Sequence, residues 1–368
     1  MTSTLSSGAF VEPQASPCTK AQVLAWLDFI QFPVDDTIKT SIENDQFGAT
    51  LKNLTTLNRL YLVKVPFEST LIHYSANHRI NVEPDALFQR IVVEKAGGSY
   101  CFGKTSLFLW MLRGLGYRAY AGLARVNSAQ IPNEAPTFSP LVHLVLFVQP
   151  IPGSNETYLV DPGFGGAGLT RPILLSSSES NVVEGTTSTE LHRLRKIKHP
   201  RSSLNTPATD WALQVARRKA DDANFEQWKT LYMFGETEYF LEDFILSSFY
   251  CSVHPYGSPF ESTVALIKYF WLSSSEVVAA GVIPANDEEE YERRDVSSRM
   301  LGYYTLYGDM VKKHIGGKTE VVKVLVSEEE RVKLIRELFG VALDEDAINN
   351  IRGRNSAFKL SLTPSGEA

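Results

Sequence analysis

The sequence predicts an α+β protein in which a helical N-terminal part, a β-rich middle and a mixed C-terminal part follow one another along the chain. Apolar residues recur at helical spacing from Lys20 to Lys95. Short β-rich runs separated by turn residues fill the chain from Tyr117 to about residue 220, and beyond Phe225 the two patterns alternate. The 368 residues exceed what one ordinary domain needs. The expected division is a flexible tail over 1–19, a helical domain over 20–116, a β-barrel or strongly curved sheet over 117–224 and an α/β domain over 225–368.

Met1 to Lys20 is rich in Ser, Thr and Pro, without a basic start followed by a continuous apolar run, so it reads as a loose tail and not as a secretory signal. Val23, Leu24, Trp26, Leu27 and Ile30 mark a first helix, and Leu51 to Val63 keeps a similar rhythm. Glu83-Pro84-Asp85 is a helix start before the apolar run Leu87 to Val93. After Gly97-Gly98, the residues Leu107, Phe108, Met111, Leu112 and Leu115 fit one helix face that stops near Gly114 and Gly116, which places Cys101 at or just before a helix N-terminus.

Strands are expected over Tyr117 to Val126, Leu141 to Val148, Thr157 to Val160 and Trp211 to Arg217. The polar stretches Ser176 to Glu190 and Pro200 to Pro207 read as long loops. The C-terminal part combines helices over Glu242 to Phe249, Ser262 to Leu272 and Glu328 to Phe339 with a strand over Glu320 to Val326. The acidic cluster Asp287 to Glu292 reads as a solvated face.

Composition narrows the function classes. A hydrophobic content of 43% and a charged content of 21% are those of a soluble globular protein, and the net charge of −6 gives no general affinity for nucleic acid or an anionic membrane. No window of about 18 uninterrupted apolar residues offers a spanning helix. Cys18, Cys101 and Cys251 are odd in number and far apart, a poor disulfide framework that points to a reducing compartment and a cytoplasmic location. There is no Cys-x-x-Cys or His-x-x-x-His pattern, so no metal site is expected. The glycines at 163, 165, 166 and 168 lack the Gly-Lys-Ser/Thr ending of a phosphate loop and suit close backbone approach beside a reactive centre.

Three residues carry the chemistry. Cys101 follows a glycine-containing turn into a helix, where the positive end of the helix dipole favours a thiolate. His143 is the single polar residue inside Leu141 to Val148, and Asp161 ends the apolar run Tyr158 to Val160 before Pro162-Gly163. Each has a bland alternative: a buried structural cysteine, a core histidine bonded to backbone, a turn-forming aspartate. Together they supply a nucleophile, its base and the group that orients the base. His143 and Asp161 lie on successive strands that an antiparallel pairing brings side by side.

At these residues the sequence resembles the arylamine N-acetyltransferases. The family's Arg-Gly-Gly-x-Cys turn is similar to Gly97 to Cys101, its histidine strand to His143-Leu144-Val145-Leu146, and its Asp-Val-Gly-Phe-Gly turn to Asp161-Pro162-Gly163-Phe164-Gly165. Val65-Pro66-Phe67-Glu68, the segment Asp243 to Phe260 and Leu338-Phe339-Gly340 extend the likeness over about residues 20 to 345.

The resemblance implies a helical bundle carrying Cys101, a β-barrel carrying His143 and Asp161, and an α/β lid around a cysteine-protease-like or transglutaminase-like Cys-His-Asp core. It implies an acyltransferase of xenobiotic metabolism. Cys101 takes an acetyl, malonyl or propionyl group from acyl-CoA as a thioester and passes it to a small aromatic amine or hydrazine, with no permanently bound cofactor, in a monomer or weak homodimer. By the same matching Phe67, Ser139, Phe164, Gly165, Phe249 and Ser258 are candidates for the CoA and amine channel, against the plainer alternative of core aromatics and turn residues.

Read without a gap, the family's Arg falls on Gly97, its second Gly on Ser99, and its Glu and Asn after the Cys on Gly103 and Thr105. Lys95 and Lys104 are the candidates for the missing positive charge. Length and insertions resemble the fungal branch. A cysteine hydrolase or transglutaminase-like enzyme, and a relative that binds CoA without turnover, are the alternative readings.

Overall fold

The computed structural model describes residues 3–129, 135–206, 208–219, 222, 224–253 and 259–358. Its N-terminal part contains α1 (Lys20–Phe29), α2 (Asp36–Glu43), α3 (Leu51–Lys64), the two-residue strand β1 (Phe67–Glu68), α4 (Thr70–Tyr74), α5 (Pro84–Phe88) and α6 (Cys101–Gly114). Thr19 and Gln22 close a capping box on α1, and Thr50 caps α3. Helix α6 is buried on all its faces from Cys101 to Leu112. Its Phe108 packs against the rings of Trp26 and Tyr61, and Leu57, Leu123, Leu144 and Leu146 belong to the same core around the helix.

The middle of the chain forms β2 (Arg118–Asn127), β3 (Phe138–Gln149), β4 (Tyr158–Val160), β5 (Ile173–Leu174), β6 (Val182–Glu184), β7 (Glu190–Lys198), β8 (Thr209–Arg217) and β9 (Lys229–Phe234). These join as one antiparallel, barrel-like sheet of order β5-β4-β3-β2-β9-β8-β7-β6. The edges β5 and β6 are linked by the Asn181 side chain, whose amide donates to the Leu174 carbonyl at 2.8 Å. Alternation along β3 sends Leu144, Leu146 and Val148 against α6, and Val145 and Phe147 into the barrel interior with Tyr120, Trp211 and Phe234. Both faces of β3 are covered, so Leu141 to Val148 reads as a continuous apolar run.

Beyond the barrel come α7 (Leu241–Val253), β10 (Ala265–Trp271), β11 (Leu301–Tyr307), β12 (Met310–Ile315) and β13 (Lys318–Val324), followed by helical segments at Glu328–Leu334 and Ala347–Ile351. The second sheet has the order β1-β10-β11-β12-β13. Strand β1 thus belongs to a sheet whose other members are C-terminal. Among the described residues no helix is long and apolar enough to cross a membrane.

Three expectations are corrected. Ser262 to Leu272 is mostly strand: its Leu, Ile, Tyr, Phe and Trp run pairs between β1 and β11, and a short apolar run carries no periodicity that separates strand from buried helix. The N-terminal segment is packed and not loose. Thr4 bridges to Glu156, Leu5 enters the barrel core, and the buried Gln149 amide bonds both the Val11 N–H and the Ala9 carbonyl. The stretch Ser176 to Glu190 is a loop only in part, since it includes β6 paired with β7.

Candidate active site

The turn before Cys101 is fixed on two sides. A Cβ at Gly98 would run into the Pro66 carbonyl, so only glycine permits this approach. Phe67 and Ser99 form a parallel bridge, with the Glu68 N–H donating to the Ser99 carbonyl at 3.2 Å. On the other side the Tyr100 hydroxyl meets the Ser248 hydroxyl at 2.5 Å and that of Ser252 at 3.1 Å on α7. Cys101 is then the first residue of α6, buried, with its thiol 3.7 Å from the Val142 carbonyl.

The barrel brings the partners. The β3–β4 register pairs Leu146 with Val160. Continued past the strand end, it places residue 163 opposite His143 and Asp161 one same-face step away. His143 Nε2 and Asp161 Oδ2 are 2.8 Å apart, and Asp161 Oδ1 accepts from the Gly163 N–H at 3.0 Å. This leaves Nδ1 of His143 for the Cys101 thiol, with which the ring is in hydrogen-bonding contact. A Cβ on Gly163 would lie 3.0 Å from Cys101 Cα, so the glycine lets the aspartate turn sit directly on the nucleophile's backbone.

Burial disfavours charge on His143, but the Asp161 carboxylate, its hydrogen bond and the Cys101 contact outweigh it and hold the imidazole up at about 10. Burial is the largest influence on Cys101 and pushes its thiol up, while the His143 contact pulls it down. Asp161 therefore favours an imidazolium beside the thiol, the arrangement that stabilises a thiolate. Tyr232 packs its ring 5.0 Å from His143 and 5.1 Å from Phe164, closing the site from the barrel interior.

Cys101 and His143 open into a cavity of about 240 Å3 lined by Phe67, Ser139, Gly163, Phe164 and Phe260, among others. Of the residues matched from sequence, Phe67, Ser139 and Phe164 line it. Gly165 stands behind the aspartate turn at φ 99, its carbonyl accepting from Tyr269 at 2.5 Å. Phe249 does not line this cavity: it is about half exposed on the outer face of α7 and lines a neighbouring groove that shares Pro140, Val142 and Tyr250 with it. Ser258 lies outside the described residues.

Phe260, Tyr250, Cys251, Val126 and Ser128 line the cavity without having been singled out. Helical phase on α7 is the signal for Cys251: Phe244, Ser248, Cys251 and Ser252 form its buried face. Cys251 is thus a cavity residue, with its thiol 3.8 Å from the same Val142 carbonyl and pushed up to about 12 by burial. Cys18 is buried away from this cavity.

The departures around the nucleophile compensate one another. Gly97 adopts φ 146, where an arginine would be strained. The positive group at that place is Arg90, with Nη2 3.2 Å from the position of a Cβ on Gly97 and 2.9 Å from Oε1 of the buried Glu68. Glu68 also accepts from the Thr70 N–H at 2.6 Å. Lys95 is exposed and Lys104 points away, donating to the Val65 carbonyl at 2.5 Å, with burial pulling its ammonium down to about 7. The serine at 99 fits because residue 103 is glycine: a Cβ there would collide with the Ser99 side chain.

The chain matches the family model described as N-acetyltransferase over residues 50–270. It is 27% identical to an N-malonyltransferase of Fusarium pseudograminearum, over 90% of this chain and 92% of the relative. It is 33% identical to an arylamine N-acetyltransferase of Mycobacterium tuberculosis, over 56% of this chain and 65% of the relative. The solved structure of an arylamine N-acetyltransferase from M. tuberculosis superposes with a TM-score of 0.63 and 25% identity, covering 90% of this chain and 97% of that one.

Proposed function

Because the chain belongs to the arylamine N-acetyltransferase family, we propose that Cys101 carries an acyl group from acyl-CoA to a small aromatic amine or hydrazine. The chain is an acyltransferase; its donor, its acceptor and the roles of its residues are the subject of the proposal. The observation that carries it is the joining of Cys101, His143 and Asp161 at one cavity through a 2.8 Å histidine–aspartate bond.

Cys101 Sγ attacks the thioester carbonyl of the donor. The new C–S bond forms as the bond to the CoA sulfur breaks, and the His143 imidazolium gives its proton to the departing thiolate. The amine nitrogen then attacks the acyl-Cys101 carbonyl. His143 takes a proton from that nitrogen, and Cys101 leaves as the thiolate. Asp161 fixes the ring so that Nδ1 faces the sulfur and offsets the imidazolium charge. A thioester keeps the acyl group transferable, so the two substrates share one site in turn.

The relatives that match over nearly their whole length carry malonyl in their name, which makes malonyl-CoA the donor to compare with acetyl-CoA and propionyl-CoA. Initial rates with aniline varied against each donor are expected to give parallel double-reciprocal lines, with N-acylaniline as product. Intersecting lines, or free acid formed at the same rate with and without aniline, would contradict transfer through Cys101.

A further inference from the structure

Two of the three cysteines share one place in the fold. Cys101, at the start of α6, donates to the Val142 carbonyl from 3.7 Å, and Cys251, on the buried face of α7, donates to the same oxygen from 3.8 Å. The sulfurs are therefore separated by no more than these two distances together. Both residues line the cavity of about 240 Å3, and Cys251 is among the groups whose charge would raise the Cys101 thiol. Cys18 lines no part of that cavity.

The two helices are joined beside the pair. The Tyr100 hydroxyl donates to the Ser248 carbonyl at 2.9 Å and also meets the Ser248 and Ser252 hydroxyls. The residue before one cysteine is thus tied to the residue after the other. A thiol that only fills space can sit anywhere in a core, as Cys18 does; Cys251 sits where a second sulfur is in reach of the nucleophile. The two thiols are also unlike in reactivity. Cys101 has the His143 ring against it, which favours its thiolate, whereas burial holds Cys251 protonated at about 12. A small electrophile entering the cavity therefore meets a reactive sulfur at Cys101 and a reserve sulfur at Cys251.

We propose that Cys101 and Cys251 form a reversible redox site for a small hydroperoxide, in which Cys101 is oxidised first and Cys251 closes a disulfide on it. With hydrogen peroxide, the Cys101 thiolate attacks one peroxide oxygen and the O–O bond breaks. The departing hydroxide takes the His143 proton and leaves as water, and Cys101 becomes a sulfenic acid. The Cys251 sulfur then attacks the sulfenic sulfur. The S–O bond breaks, the leaving hydroxide takes the Cys251 proton, and a second water departs. The two thiols lose two electrons and the peroxide gains them. The disulfide stops Cys101 from reacting further, spares it from irreversible sulfinic acid, and opens again by exchange with an external thiol such as glutathione. It requires a nucleophilic Cys101, not acyl transfer through it.

The test treats the full chain with a small molar excess of hydrogen peroxide, then denatures it, alkylates it with iodoacetamide without reductant and maps the peptides by mass spectrometry. The expected product is a cross-linked pair of peptides joining Cys101 to Cys251, with Cys18 alkylated. Dithiothreitol is expected to return nearly all of Cys101 to an alkylatable thiol. In Cys251→Ala and Cys251→Ser, peroxide still reaches Cys101 but no second sulfur closes on it. Its sulfenic acid is then expected to be trapped by dimedone and, without dimedone, to pass on to sulfinic acid, so that recovery with dithiothreitol falls at least about tenfold. Cys18→Ser is the control and is expected to match the native chain.

Oxidised Cys101 with Cys251 still fully alkylated in the native chain would overturn the site, and this readout needs no variant to fold. Equal recovery in the native chain and both Cys251 variants would overturn it too, as would a Cys101 bond to Cys18 or to a second chain on a non-reducing gel. An acyl mass on Cys101 from acetyl-CoA, with no disulfide from peroxide, would strike the redox site alone and leave acyl transfer standing. The disulfide without any acyl adduct would do the reverse.

Discussion

At the scale of single residues the account turns on how His143 is charged. Asp161 holds the imidazole up at about 10 against the effect of burial, so the imidazolium is present beside Cys101 across the neutral range. Asp161→Asn removes the charge that raises the histidine while keeping its shape. Alkylation of Cys101 by iodoacetamide at pH 7 is then expected to slow by at least about a hundredfold, and its rise with pH to move to higher values. An unchanged profile would show that Asp161 only shapes the turn. Ser99 and Gly103 make a second test. Glycine-to-alanine inside a helix usually stabilises, by about 1 kcal/mol, yet here the added Cβ meets the Ser99 side chain. Gly103→Ala is expected to cost about 1–3 kcal/mol in denaturant unfolding, and the cost to fall when combined with Ser99→Gly, the remainder coming from the buried Leu87 side chain 2.8 Å from the same Cβ. Cys101, His143 and Asp161 were legible because each departs from its local pattern: a thiol at a helix start, one polar residue in an apolar strand, a carboxylate at a strand end. The Ser99–Gly103 exchange was not, because it is a matter of volume between neighbouring turns.

At the scale of elements, the nucleophile turn is held by groups from β1, the turn after α5, and α7. Glu68 is buried on β1 and takes its charge partner from Arg90. Arg90→Ala strands that carboxylate and is expected to destabilise the fold by about 3–5 kcal/mol, measured by denaturant unfolding, while Arg90→Lys recovers part of the loss. Equal stability of both variants and the native chain would show that the pair does not hold the turn. Sequence pointed to Lys95 and Lys104 for this charge because they are close along the chain. Arg90 is close in space, since the helix it follows folds back over the turn. The same limit explains the exchange of Phe249 for Phe260. Both are aromatic residues of one segment, and only the phase of α7 decides that Phe249 faces outward. It also explains the strand at Ala265–Trp271, whose apolar residues carry no length or period that distinguishes it from helix.

At the scale of the whole molecule, the site lies where all parts meet: Cys101 on the central helix, His143 and Asp161 on the barrel, and Phe67 on a strand completed by the C-terminal sheet. The order of helical, barrel and α/β parts was legible from periodicity. The packing of the N-terminal segment along the barrel was not, since it depends on single contacts such as Leu5 and Gln149. The assembly also has a predictable response to acid. His73 is buried and held neutral, lowered to about 3 by burial and then by Arg354 and Arg331; His314 is lowered to about 4, chiefly by burial. Unfolded histidine takes up a proton near pH 6.5, so the folded state binds fewer protons below that value. The contribution of His73 and His314 is then full above about pH 6.5 and falls as pH drops toward 4, with His73 contributing up to about 1.4 kcal/mol per pH unit; His143, raised to about 10, works in the opposite sense, but only one histidine does so against these two. Tm compared at pH 7.5 and pH 5 is expected to show the fall, and His73→Asn to reduce it; a Tm that rises in acid would contradict the assignment. The central claim, that Cys101 is the carrier, is tested most directly by intact-mass spectrometry after incubation with acetyl-, propionyl- or malonyl-CoA. The account predicts one acyl mass on Cys101, absent in Cys101→Ala and removed on adding aniline with formation of the N-acylaniline. No adduct from any donor, with Cys101 still open to alkylation, would contradict it.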